Sequence, residues 1–165
     1  MKRLYILLVL STLLGACSNS DPVTPVNNHF SGNQFRVHLI SKKFYQRPEK
    51  YGLLSIKDMS GSFYAVEKTS FIDKSHIIKT RVFQTDVDFY GINIELNEDG
   101  IKQLDRLLQS NDKRKVAIIV DNLIVSSFVI DSNKTDNVFK DNRFWVDALF
   151  SVNEVKAIVT GLNKK

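Results

Sequence analysis

A chain of 165 residues with one cysteine, Cys17, cannot brace itself with an intramolecular disulfide. No second thiol remains for metal or redox chemistry, so whatever folds must be held by an apolar core. The cysteine also divides the chain. Ahead of it, behind Lys2 and Arg3, the apolar run from Leu4 to Leu14 is 11 residues long. A bilayer span needs about 20, so the run has the length and flanking charge of a secretory leader. After the cysteine, residues 18–34 carry Pro22, Pro25, Gly32 and many Ser and Asn. That composition predicts a flexible tether rather than packed structure. Its typical span as a coil is about 23 Å. Residues 35–165 then suffice for one domain.

The run Leu13-Leu14-Gly15-Ala16-Cys17 resembles the lipobox of bacterial lipoproteins. The resemblance implies diacylation of the Cys17 thiol, removal of a signal peptide spanning residues 1–16, and acylation of the new amino terminus. Gly15 and Ala16 are small enough to leave room for a peptidase. The chain then divides into the signal peptide, a lipidated Cys17 and tether over 17–34, and a domain over 35–165. Each buried methylene contributes about 0.8 kcal/mol, so two or more acyl chains would tie the protein firmly to a membrane. Ser18, not Asp, follows the cysteine. By resemblance to enteric sorting this favours the outer membrane, with the domain facing the periplasm, over the inner membrane. Loss of Lys2 and Arg3 lowers the formal net charge from +5 to +3. A mildly basic protein in that compartment is not expected to bind nucleic acid.

Within the domain, FRVHLI (35–40), GLLSIK (52–57) and FYAVE (63–67) read as strands of an opening antiparallel layer. Asp73 is placed to cap a short helical turn through Ile77 and Ile78, and Thr80–Phe83 resumes strand character. In GINIEL (91–96) Ile92, Ile94 and Leu96 alternate with polar residues, giving one buried face. Asn97 then caps a helix with Glu98 and Asp99 in its first turn and Ile101, Leu104, Leu107 and Leu108 on one side. VAIIV (116–120) and LIVSSFVI (123–130) form a hairpin through Asp121-Asn122. FWVDALF (144–150) is the last strand, and Ser151 with Glu154 forms a capping box for a helix whose inner face holds Val155, Ile158, Val159 and Leu162. The order predicts an α+β fold, a largely antiparallel sheet with two main helices packed on one face.

GINIELNEDGIKQL, KRKVAIIVDNLIVSSFVI and LFSVNEVKAIVTGL, in that order, resemble the head subdomain of the first periplasmic domain of SecD, of the SecDF family. The resemblance covers about residues 35–163, with Gly100, Asp121, Ser126, Val129, Ile130, Phe150 and Glu154 at matching positions. It departs at Asn122, Phe128 and Ala148, where the family has glycine, proline and glycine. Asn122 still tolerates a positive φ, so the turn is expected to survive. The resemblance implies a domain that contacts polypeptide emerging into the periplasm. The polytopic, proton-driven part of SecD is not expected of this protein.

Nothing in the chain suggests an enzyme, a cofactor or a metal. His29, His38 and His76 have no paired metal spacing and read as surface or edge histidines. Asp131–Asp136 opens like a calcium loop but lacks its glycine and closing glutamate. Asp86 and Asp88 flank Val87 as solvated carboxylates, and Lys113-Arg114-Lys115 reads as a solvated loop or a contact for phosphate or lipid headgroups. The aromatic residues pose a different question. Alternation puts Phe144, Val146, Ala148 and Phe150 on one face of the last strand and Trp145 on the other. Trp145 either packs under a loop or helix or anchors a protein partner, and Phe128 poses the same choice. With Leu123 they are the candidate partner-binding residues. The expected function is a non-catalytic, membrane-anchored module that binds polypeptide or an envelope protein. The alternative is a dedicated subunit, accessory or immunity-like inhibitor of one secretion or envelope complex.

Overall fold

The structure is a computed structural model and describes residues 30–43, 45–131, 139–140 and 142–164. Among these described residues, nine strands and two α-helices follow one another: β1 (Phe35–Ile40), β2 (Leu54–Asp58), β3 (Phe63–Asp73), β4 (Ile77–Asp86), β5 (Phe89–Leu96), α1 (Glu98–Ser110), β6 (Lys115–Val120), β7 (Leu123–Val129), β8 (Phe139–Lys140), β9 (Arg143–Phe150) and α2 (Val152–Asn163). The fold is α+β and largely antiparallel, as the sequence predicts. The strands nevertheless form two sheets. One closes as a barrel in the order β1-β3-β2-β7-β6, and the other is an open sheet in the order β4-β5-β9-β8. The barrel contains a parallel pair, β2 with β7, which brings Lys57 opposite Leu123 and Asp58 opposite Ile124.

Strand alternation explains how one barrel serves two cores. On β1, Phe35, Val37 and Leu39 point out of the barrel, and on β6 so do Val116, Ile118 and Val120. They join Ile92, Ile94, Leu96, Phe144, Val146 and Phe150 of the open sheet and Leu104, Leu107, Val155, Ile158 and Leu162 of both helices in the main core. A smaller set takes one or two residues from each barrel strand, namely Ile40, Ile56, Val66, Ala117, Ile119 and Ile124. These fill the barrel.

The helix ends follow the sequence. The Asn97 side chain accepts from the Gly100 amide at 2.8 Å. Ser151 and Glu154 form the expected reciprocal box at the start of α2. Asp121 and Asn122 both have positive φ, at 47° and 68°, as a two-residue hairpin turn of the primed type requires. Asn122 thus takes the place of a turn glycine without loss of the turn.

Three expectations change. The turn capped by Asp73 is a single 3-10 turn over Lys74–His76, and Ile77 and Ile78 already belong to β4. His38 is buried, not at a surface or edge. It lies opposite Ala117 and so faces the barrel interior. The packed unit also begins before Phe35. Phe30 is buried and meets Phe150 edge to face at a ring separation of 5.7 Å. The next residues are pinned by Asp121, whose carboxylate accepts from the amides of Ser31 at 2.6 Å, Gly32 at 2.8 Å and Gln34 at 3.0 Å. Three amides converging on one carboxylate give this polar strap a fixed path that composition alone does not reveal.

Candidate interaction face

The open sheet has one face in the main core and one turned outward. On β5 the core takes Ile92, Ile94 and Leu96 and leaves Asn93 and Glu95 outside. On β9 it takes Phe144, Val146, Ala148 and Phe150 and leaves Arg143, Trp145, Asp147 and Leu149. The register then decides which outward residues are neighbours. Arg81, Asn93 and Trp145 lie on one ladder across β4, β5 and β9, and Lys79, Glu95 and Arg143 lie on the next. Strands are about 4.8 Å apart, so Arg81 and Trp145 stand about 10 Å apart with Asn93 between them. Beside them Phe83 lies opposite Gly91, where a β-carbon would come within 2.5 Å of the Phe83 ring. The missing side chain of Gly91 leaves the space that this ring occupies.

Trp145, Asn93, Glu95 and Phe83 are half-buried, while Lys79, Arg81 and Arg143 are exposed. Among the described residues none of the three cations has an ion-pair partner. The face therefore combines two flat aromatic groups with a local excess of positive charge, tempered by Glu95 and by Asp147 further along. Such a surface can stack against apolar or planar groups and attract carboxylates.

The three candidates from the sequence are not brought together. Leu123 and Phe128 are partly buried and pack against the main core from β7. Phe128 lies opposite Val116 and packs on the same core. Trp145 alone stands on an outward face. Lys79, Arg81, Phe83, Asn93 and Arg143 were missed in the sequence. Their signal is the outward half of the alternation in KTRVF, GINIEL and RFWVDALF, which says which residues share a face but not which strands adjoin.

The Lys113-Arg114-Lys115 triplet is dispersed over separate partners. Lys113 bridges to Asp131 at 3.3 Å, Arg114 pairs with Glu67 and donates to the Ile40 carbonyl, and Lys115 lies 5.3 Å over the Tyr64 ring. Asp86 and Asp88 are exposed at the β4–β5 turn. Most of the calcium-like loop after Asp131, and His29, lie outside the described residues.

Three carboxylates are more acidic than usual, each for a structural reason. Burial alone would raise them. At Asp58 the hydroxyl of Ser60 and the amides of Ser62 and Ser60 outweigh it, at Asp73 the hydroxyl and amide of Ser75, and at Asp121 the strap amides. All three hold turns or caps. Among the described residues no helix is long and apolar enough to cross a membrane, and no three His, Cys, Asp or Glu side chains cluster as a metal site.

The fold defines a class: a closed five-stranded barrel sharing its core with a helix-backed open sheet, a domain of the head-subdomain kind. Residues 47–164 match the family model of the SecDF P1 head subdomain, and the chain belongs to that family. Two solved structures share the fold. One is SecDF in a super-membrane-facing form, with TM-score 0.57 and 10% identity over 81% of this chain and 19% of that one. The other is of SecDF described as a membrane component that enhances protein export, with TM-score 0.56 and 11% identity over 79% of this chain and 62% of that one. The chain thus spans about a fifth of the first and three-fifths of the second. No curated protein matches.

Proposed function

We propose that this protein is a lipid-anchored envelope protein whose head domain binds extended polypeptide, or an envelope protein partner, without catalysing a reaction. The observation that carries the reading is the Arg81–Asn93–Trp145 ladder on the outward face of the open sheet. An aromatic platform beside unpaired cations suits a chain with carboxylates and apolar side chains. Membership of the SecDF head family and the export role named for a related SecDF support polypeptide as the ligand class. The lipobox at Cys17 supports a lipid anchor, and Ser18 supports the outer membrane with the domain in the periplasm. The non-catalytic reading is supported by the structural engagement of Asp58, Asp73 and Asp121.

Photo-crosslinking in intact cells from positions 81 and 145, with positions 123 and 128 as core controls, tests the reading. Adducts with many exported chains from 81 and 145 alone are expected. A single dominant adduct would point instead to a dedicated subunit or inhibitor, and no adduct from either position would remove this face. Cys17→Ser should release the protein from the membrane fraction.

A further inference from the structure

We infer that the free edge of β4 is a strand-addition site for an extended acidic polypeptide, with the Asn163 side chain occupying its first rung. The inference rests on the polypeptide-binding reading and specifies where and how the chain would bind. Among the described residues β4 is the terminal strand of its sheet and pairs only with β5. The amide of Thr80 donates to Asn163 Oδ1 at 2.9 Å, and the Thr80 carbonyl accepts from Asn163 Nδ2 at 3.3 Å. Both backbone groups of Thr80 therefore point away from β5. The register with β5 is regular from Lys79 to Gln84, so period two turns the same groups of Val82 and Gln84 outward. Among the described residues those groups have no partner on that side.

Chemistry identifies the occupant. The Asn163 carboxamide meets Thr80 with its carbonyl and one of its two N–H groups, the content of a single peptide unit, and satisfies one rung. Only an extended backbone repeats that pair at the spacing of Val82 and Gln84. Its side chain opposite Arg81 would fall on the outward face, flanked by Lys79 and Phe83, where a carboxylate is favoured. The added strand would extend the surface that carries Trp145. Val82 is 40% exposed and Gln84 is exposed as well, so the approach beyond Thr80 is open.

The test uses the mature full-length protein and reduced, carboxymethylated α-lactalbumin, an acidic chain held unfolded. Val82→Pro and Gln84→Pro each remove one outward N–H and leave the β4–β5 bonds in place. Each should weaken binding about tenfold or more. Arg81→Glu should weaken it too. If a proline variant fails to fold, amide exchange on the unaltered protein decides, because Val82 and Gln84 should become protected when the probe is added. Binding that persists in both proline variants, with no protection on β4 but loss in Trp145→Ala, overturns the edge site and leaves polypeptide binding intact. Absence of any binding overturns both. Protection that depends on protein concentration without the probe shows β4 pairing with a second copy, which also overturns the proposal.

Discussion

A β-carbon on Gly161 would lie 1.7 Å from the carbonyl oxygen of Ser31, so helix α2 and the strap touch backbone to backbone. Opposite, Gly32 with φ +66° leaves no more room, since its own β-carbon would lie 2.2 Å from the Ile158 carbonyl oxygen. Gly161→Ala must displace the strap, and overpacking of this kind costs about 1–3 kcal/mol. Phe30→Ala, which empties the contact with Phe150, should cost about 3–5 kcal/mol. Urea denaturation should show both losses, and limited proteolysis should open a cleavage site near residues 31–34 in both variants.

Asp121 supplies the other half of that clasp. Its pKa in the folded protein lies below the ordinary value because the strap amides outweigh the effect of burial. As pH falls below about 4 the unfolded state takes up the proton first. The contribution is therefore complete above the unfolded pKa and disappears as pH falls through the folded one. Asp121→Asn should lose about 1–3 kcal/mol at pH 7, and the gap to the parent protein should narrow in acid. Urea midpoints at several pH values measure both effects.

His38 works in the opposite direction. Burial lowers its pKa, the Glu67 carbonyl partly restores it, and the charge of Arg36 lowers it further. Nδ1 lies 2.8 Å from the Glu67 carbonyl and so must carry the proton, which leaves Nε2 an acceptor without a partner in the barrel. The unfolded chain binds a proton near pH 6.5 that the folded chain refuses, so stability should fall between pH 7 and 5. His38→Asn keeps a donor near Glu67 and cannot titrate. Its melting temperature should vary less across that interval than the parent's.

Phe128 and Trp145 should separate stability from binding. Phe128→Ala removes a ring packed on the main core and should cost about 2–3 kcal/mol. Trp145→Ala, on a half-open face, should change stability by about 1 kcal/mol or less while weakening binding to unfolded polypeptide. Denaturation and a binding assay on the two variants make the comparison.

Much of this fold is legible in local pattern. The alternation of Ile92, Ile94 and Leu96, the cap at Asn97, the turn at Asp121-Asn122 and the Ser151–Glu154 box each act within a few residues, where period and side-chain chemistry decide. The barrel is a different matter. Period two assigns a face to Ile56 or Ile124 but not a neighbour, so the parallel meeting of Asp58 with Ile124 has no local signal. β3 runs on past FYAVE to Asp73 although Lys68 and Thr69 are exposed, at the point where its register with β1 shifts, so its pattern breaks before the strand does. Polar Ser31, Gly32 and Asn33 look like linker until Asp121, 90 residues away from Ser31, supplies the acceptor. Of the candidate face, alternation gives the side of β9 on which Trp145 lies, and its companions need the strand order.

The clasp between the strap and Asp121 also sets how the domain responds to force. A pull applied from the preceding chain reaches Phe30–Gln34 before β1. The load passes into the β6–β7 hairpin through the carboxylate and into α2 through the Gly32–Ile158 and Ser31–Gly161 contacts. These contacts all fall within five residues, so they share the load. A domain dragged by its amino-terminal side would therefore yield first at the strap, with the barrel and the open sheet left intact.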